Sequence, residues 1–231
     1  MKSMRTEGRE HRKTSGAEKN RSAVRPRKIG VFGGSFNPIH NGHLEIAKIA
    51  LKACGLSEVW FIPAGDPYMK SSVDILPGKK RFELTERAIS GFPAFRADPV
   101  EIRRKGPSYT VDTLEELGKA HPDCRFFLIV GEDAFRQMPL WKEPEKIIQY
   151  AEIIVAGRRS GKDVPEYDTD ALPIPPKRLH RIEADIRISS TEIRRRIAEG
   201  SPISGMVPAA IEEETENVYR EFFAGTGKQA P

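Results

Sequence analysis

The sequence predicts an α/β fold: a Rossmann-like, doubly wound and mostly parallel sheet with helices on both faces. Three observations carry that prediction. From Lys28 onward, short apolar runs alternate with stretches of helical periodicity, the pattern of a parallel sheet covered on each side. The first run, Ile29 to Phe32, breaks into Gly33 and Gly34 and feeds a helix almost at once. The stretches richest in chemistry follow the ends of such runs, where open parallel sheets bind their ligands.

Strands are predicted at residues 29–32, 59–62, 126–130 and 153–156, with shorter ones at 95–97 and 179–182. Helices are predicted at 43–54, 79–89, 110–119, 145–150, 191–198 and 209–223. In the first helix Leu44, Ala47, Ala50 and Leu51 share one face, as a helix covering a sheet requires. The last helix repeats the logic with Ile211, Val218, Phe222 and Phe223, and Pro208 suits its start. Residues 157–177 hold prolines and glycines with little periodicity and read as a mobile loop. There is no internal repeat, and residues 28–231 are expected to form a single domain, ample for a sizeable core.

The net charge of +5 is not spread evenly. Residues 1–27 hold nine Lys/Arg against Glu7, Glu10 and Glu18, a net +6, so residues 28–231 are close to neutral. With Val24 its one β-branched aliphatic residue and no aromatics, that tail cannot bury enough surface to fold alone and is expected to be disordered. It reads first as a solvated extension or a misassigned start; a basic arm for RNA is the alternative, and three glutamates argue against an organellar transit peptide. No apolar run approaches the ~18 residues that span a bilayer, and the N-terminus lacks an apolar secretory core. Cys54 and Cys124 lack metal-type spacing and read as reduced core thiols of a cytoplasmic protein.

The segment Gly33-Gly34-Ser35-Phe36-Asn37-Pro38-Ile39-His40-Asn41-Gly42-His43 carries most of the functional information. A strand that ends in glycines and opens a helix gathers backbone N–H groups and the positive end of a helix dipole, which together hold phosphate. Two histidines add side-chain donors at the same mouth. No Walker-type Gly-Lys-Ser/Thr follows, and no third glycine completes a dinucleotide fingerprint. A zinc site would need three or four ligands, and Asn41 and Glu45 do not complete such a set.

This stretch resembles the HxGH signature of the nucleotidyltransferase superfamily. More closely, it is similar to the GG[ST]F[DN]PxHxGH signature of the bacterial nicotinate-nucleotide adenylyltransferases. A second string, Ile188-Ser189-Ser190-Thr191-Glu192-Ile193-Arg194, is by itself a capped helix start with an arginine on its first turn. It is similar to the superfamily's ISSTxxR signature. The resemblance runs from Lys28 to the final helix, leaving out the tail and the loop near residues 158–177. It implies the nucleotidyltransferase α/β phosphodiesterase type of fold.

The resemblance also implies a set of roles. His40, His43 and Arg194 would be catalytic, gripping the ATP phosphates. Gly33, Gly34, Ser35, Phe36, Lys70, Gly131, Asp133, Ile188, Ser189, Ser190 and Thr191 would complete the ATP and phosphate site. Lys70 follows the second strand as the family's lysine does, although Met69 stands where a histidine is common. Tyr109 and Thr110, in Gly106-Pro107-Ser108-Tyr109-Thr110, match the family's SYT turn, whose amides would receive a nicotinate carboxylate. Thr110 could equally cap its own helix. Trp141, after Gly131-Glu132-Asp133, would stack on the cationic pyridine ring, an arrangement worth roughly 0.5–2 kcal/mol. Arg104 is a weaker candidate phosphate contact, while Arg195 and Arg196 are expected in solvent.

The implied reaction joins nicotinate mononucleotide and ATP into deamido-NAD and pyrophosphate. Mg2+ would be bound mainly by phosphates and water, with no protein metal site. The implied partners are these two small molecules, with no membrane and no nucleic acid, and with homo-oligomerisation left open. Two alternatives compete. A pantetheine-phosphate adenylyltransferase-like enzyme usually has threonine at the position of His40 and lacks the SYT and GxD…W elements. A non-catalytic nucleotide- or RNA-binding module has the basic tail as its one support.

Overall fold

The computed structural model describes residues 26–65, 75–157 and 172–226. The expected disordered tail, apart from residues 26 and 27, lies outside the described residues, as do Met69, Lys70 and residues 158–171 of the expected loop. The chain runs β1 (Arg27–Gly34), α1 (Asn41–Ala53), β2 (Glu58–Pro63), α2 (Gly78–Ile89), β3 (Phe95–Ala97), α3 (Val100–Arg103), α4 (Thr110–Ala120) and β4 (Cys124–Gly131). It continues with α5 (Glu132–Gln137), α6 (Pro144–Tyr150), β5 (Ala151–Gly157), β6 (Leu179–Glu183), α7 (Ser190–Ala198) and α8 (Glu212–Thr226). The six strands form one sheet in the order β3-β2-β1-β4-β5-β6, every neighbouring pair parallel. The winding reverses between β1 and β4, which pair directly with Val31 opposite Leu128.

Side-chain alternation explains why both faces are covered. On β4, Phe127 and Ile129 point into one apolar layer while Phe126, Leu128 and Val130 point into the other. β2 divides the same way, with Val59 and Phe61 on one face and Trp60 and Ile62 on the other. Strands buried on both faces read as continuous apolar runs, and this is what the sequence shows. The first layer is closed by α1, α2, α7 and α8 through Leu44, Leu84, Ile193 and Tyr219. The second is closed by α4, α5 and α6 through Leu114, Phe135 and Ile147.

Four local features differ from the sequence expectations. Helices α3 and α5 were not anticipated, because four and six residues are too few to show a period. The predicted final helix is a 3-10 turn (Ala209–Ile211) running into α8. The end of the expected mobile loop is anchored, with Leu172 and Ile174 buried in the second layer. Cys54 and Cys124 are free but only half-buried, at the end of α1 and the start of β4, rather than core thiols. Among the described residues no helix is long and apolar enough to cross a membrane.

Candidate active site

The site forms where the sheet's winding reverses, at the C-terminal ends of β1, β2 and β4. After Gly34 the chain turns sharply through Phe36, a non-glycine residue in the left-handed region at φ 42°. Phe36 is held there by burial, its ring packing edge-on against Phe32 at 5.7 Å and His43 at 5.0 Å. His40 then serves as the N-cap of α1. Its backbone N–H donates to His43 Nδ1 at 3.2 Å, and its carbonyl accepts from the His43 N–H at 2.9 Å. The two imidazoles stack with centroids 3.6 Å apart. Burial pushes the His40 pKa down to about 4, so this ring is uncharged near neutral pH. Its buried Nδ1 has no hydrogen-bond partner among the described residues.

The second half of the site arrives from more than 150 residues later in the chain. Ser189 caps α7 by accepting from the Glu192 N–H at 3.1 Å. The Ser190 hydroxyl donates to the Pro38 carbonyl at 2.9 Å, and Arg194 Nη1 donates to the Asn37 carbonyl at 2.9 Å. Asn37 is itself held from two sides, its side-chain oxygen accepting from the Tyr219 hydroxyl at 2.6 Å and from the Leu76 N–H at 3.1 Å. The N-terminal end of α7 and Arg194, one turn further along it, therefore sit on the turn that presents His40 and His43.

Beside this turn lies a cavity of about 300 Å³ that Gly33, Gly34 and Ser35 share as one wall. Ala64 and Ile62 come from the end of β2, Leu128, Val130 and Gly131 from β4, and Ala134 from α5. Thr110 and Thr113 face it from the first turn of α4, and Trp141 closes it. The lining is largely apolar, and the Trp141 indole N–H is buried without a hydrogen-bond partner among the described residues. Glu101 is the acidic residue of the cavity: it accepts from the Thr113 hydroxyl at 2.7 Å, and burial pushes its carboxyl pKa up against the opposing hydrogen bonds of Thr113 and Ser108. Ser108 in turn accepts from the Gly65 N–H at 3.0 Å.

Comparison with known proteins places these motifs in one family. The cytidylyltransferase-like family model matches residues 31–196. A "Probable nicotinate-nucleotide adenylyltransferase" of Thermus thermophilus is 40% identical over 195 residues, covering 84% of this chain and 100% of the relative. The chain belongs to the nicotinate-nucleotide adenylyltransferase family. A relative of the same printed name from Shouchella clausii is 35% identical, covering 84% of this chain and 97% of its own length. A solved structure, Plasmodium falciparum nicotinic acid mononucleotide adenylyltransferase complexed with NaAD, superposes with a TM-score of 0.67 at 20% identity. It covers 85% of this chain and 96% of that one, and it shows the shared fold.

Within this family member the structure gathers most residues singled out from the sequence. The histidine turn and Arg194 meet directly, and Gly33, Gly34, Ser35, Thr110, Gly131 and Trp141 line the adjoining cavity. Ile188 packs against the first apolar layer, whereas Thr191 is exposed on the first turn of α7. Tyr109 is the N-cap residue of α4, its ring 4.8 Å beneath the Lys142 ammonium. Two expectations, for Thr110 as a cap and for Arg104, need correction. Thr110 does not cap α4; it is the first helical residue, and its side chain faces the cavity. Asp133 is exposed on α5 and stands outside the cavity lining, to which Gly131 and Ala134 contribute. Arg104 is committed elsewhere, donating to Thr113 Oγ1 at 3.1 Å and to Glu116 at 2.7 Å.

Sequence reasoning missed Glu101 and Arg81. Both are ordinary members of charged stretches in one dimension, and only burial sets them apart. Arg81 is 1% exposed.

Proposed function

We propose that this chain transfers the adenylyl group of ATP to nicotinate mononucleotide, giving deamido-NAD and pyrophosphate, a step of NAD biosynthesis. One observation carries the reading: the His40–His43 turn meets Arg194 of α7, and the same turn walls the cavity that Trp141 closes. A polyphosphate held at the turn and an aromatic acceptor in the cavity would share the Gly33–Ser35 border. In the reaction, a phosphate oxygen of the acceptor attacks the α-phosphorus of ATP in line. The bond to the β-phosphate oxygen breaks and pyrophosphate leaves, with no protein nucleophile needed. The work of the protein is positioning and stabilising charge on the phosphate oxygens.

In this reading His40, His43 and Arg194 grip the triphosphate, joined by Lys70 and by the amides of Gly33 through Phe36. The start of α7, Ile188 through Thr191, adds its dipole, and Gly131 and Asp133 border the nucleotide. The first-turn amides at Tyr109 and Thr110 would receive the pyridine carboxylate, with Trp141 stacked on the ring. Mg2+ would be bound together with the nucleotide. Its ligands would be mainly phosphate oxygens and water. The ion neutralises phosphate charge when bound. We place the enzyme in the cytoplasm as a single domain behind a basic tail.

The test is a pyrophosphate-release assay with ATP, Mg2+ and a panel of acceptors. Turnover is expected with nicotinate mononucleotide and to be weaker with nicotinamide mononucleotide. Preference for phosphopantetheine would move the reading to the alternative enzyme. No release with any acceptor, together with salt-sensitive RNA binding that vanishes on deleting residues 1–27, would replace it with a binding module.

A further inference from the structure

Arg81 of α2 is a buried cation whose hydrogen bonds go to four backbone carbonyls. Its Nε donates to Leu76 O at 2.7 Å and its Nη1 to Ser35 O at 2.6 Å. Nη2 donates to Ala64 O at 2.5 Å and to Gly65 O at 3.3 Å. The fork thus joins three segments: the turn after β1, the exit of β2 and the approach to α2. No carboxylate balances it among those acceptors. Glu101 is near enough to act on it through space but makes none of these hydrogen bonds, and burying a charge costs several kcal/mol, so the position of the fork calls for an explanation beyond packing.

The Ser35 carbonyl belongs to the peptide that precedes Phe36, the residue held at φ 42°. Left-handed backbone costs an L-residue roughly 1–2 kcal/mol, and a charged hydrogen bond to this carbonyl helps hold the turn. The one cis peptide among the described residues is Asn37–Pro38, so the Ser35–Phe36 peptide is trans. In a planar trans peptide the C=O and N–H point in opposite directions. With the guanidinium on the carbonyl side, the Phe36 N–H faces away from Arg81. A charged donor on the carbonyl also polarises the peptide and strengthens that N–H as a donor.

We propose that Arg81 is a positioning residue of the transfer reaction: it clamps the Ser35–Phe36 peptide so that the Phe36 N–H is presented to the polyphosphate. Arg81 itself never touches substrate. The inference rests on the adenylyl-transfer reading of the same site. It requires the planar fork, because a lysine ammonium keeps the charge but cannot reach the Ser35 and the Ala64 and Gly65 carbonyls from one rigid plane.

The test uses the full chain as wild type, Arg81→Lys and Arg81→Gln, with inorganic tripolyphosphate as the probe. Adding the probe to wild type is expected to move the Phe36 amide resonance, and Arg81→Lys is expected to lose that response. Turnover should fall about 100-fold in Arg81→Lys, the usual scale for a disabled oxyanion donor. The KM for nicotinate mononucleotide should stay within about threefold, since uniform loss would mark general damage. Three results would overturn the proposal: turnover in Arg81→Lys close to wild type, equal loss of affinity for both substrates with the Phe36 response intact, or a wild-type Phe36 amide that ignores tripolyphosphate. The last measurement stands even if neither variant folds. It is also independent of the acceptor: a wild type that responds at Phe36 but releases no pyrophosphate refutes adenylyl transfer and leaves the role of Arg81 in anion binding.

Discussion

At His40, burial rather than any charged neighbour sets the chemistry. With its pKa held at about 4, against an unfolded value near 6.5, the folded state binds fewer protons than the unfolded state across that window. Stability therefore rises with pH from about 4 to about 6.5, and the full interval is worth roughly 3 kcal/mol. His40→Gln should flatten this slope relative to wild type, as urea unfolding at pH 7.0 and pH 4.5 would show; parallel slopes would contradict it. His43 differs in that its Nδ1 is already used by the His40 N–H. His43→Ala is expected to cut turnover by about 100-fold or more while far-UV circular dichroism stays unchanged. Wild-type turnover in that variant would remove His43 from the machinery.

The element that decides the site's shape is the start of α1, where three pieces of chain crowd together. A Cβ on Gly42 would lie 2.4 Å from Ile186 Cγ2 and 3.0 Å from His40 Nδ1. Helix propensity alone favours alanine over glycine by about 1 kcal/mol. Crowding should win here, so Gly42→Ala is expected to destabilise by roughly 1–3 kcal/mol and to lower turnover by displacing the His40 ring. A higher urea midpoint in the variant would show that the neighbours yield freely. The same closeness explains the serines of α7: Ser189 closes its own helix end, while Ser190 spends its hydroxyl on the Pro38 carbonyl and ties that helix to the turn.

At the scale of the whole molecule, the sheet divides the work between two halves. The first apolar layer carries α1, whose start bears the histidines, and α7, which bears Arg194, and the second carries α4 with the cavity-facing threonines. Trp141 belongs to the second half. Trp141→Ala should therefore raise the KM for nicotinate mononucleotide between about 2- and 30-fold, matching the 0.5–2 kcal/mol of a cation–π contact, and leave the KM for ATP nearly unchanged. Steady-state kinetics with each substrate varied in turn would check it; equal changes in both would place the indole elsewhere.

The order of the strands and of the longer helices, the two phosphate-type signatures and the near-neutral charge of residues 28–231 were legible in one dimension. Each depends on local physics: apolar period, glycine at a turn, a cap before a helix. Strand continuity at β1, β2, β4 and β5 left little room for another fold, because runs buried on both faces demand helices above and below. What tertiary structure alone decided was which charges are buried and what they face. Arg81 and Glu101 look like surface residues among other charged neighbours, and Arg104 looks like a phosphate contact, until packing seals the first two and pairs the third with Thr113 and Glu116. Asp133, singled out by its resemblance to the family's GxD element, is exposed on α5, a placement that only the fold reveals. Desolvation is a property of the assembled protein, since it depends on neighbours brought together from distant parts of the chain, and no single segment carries it.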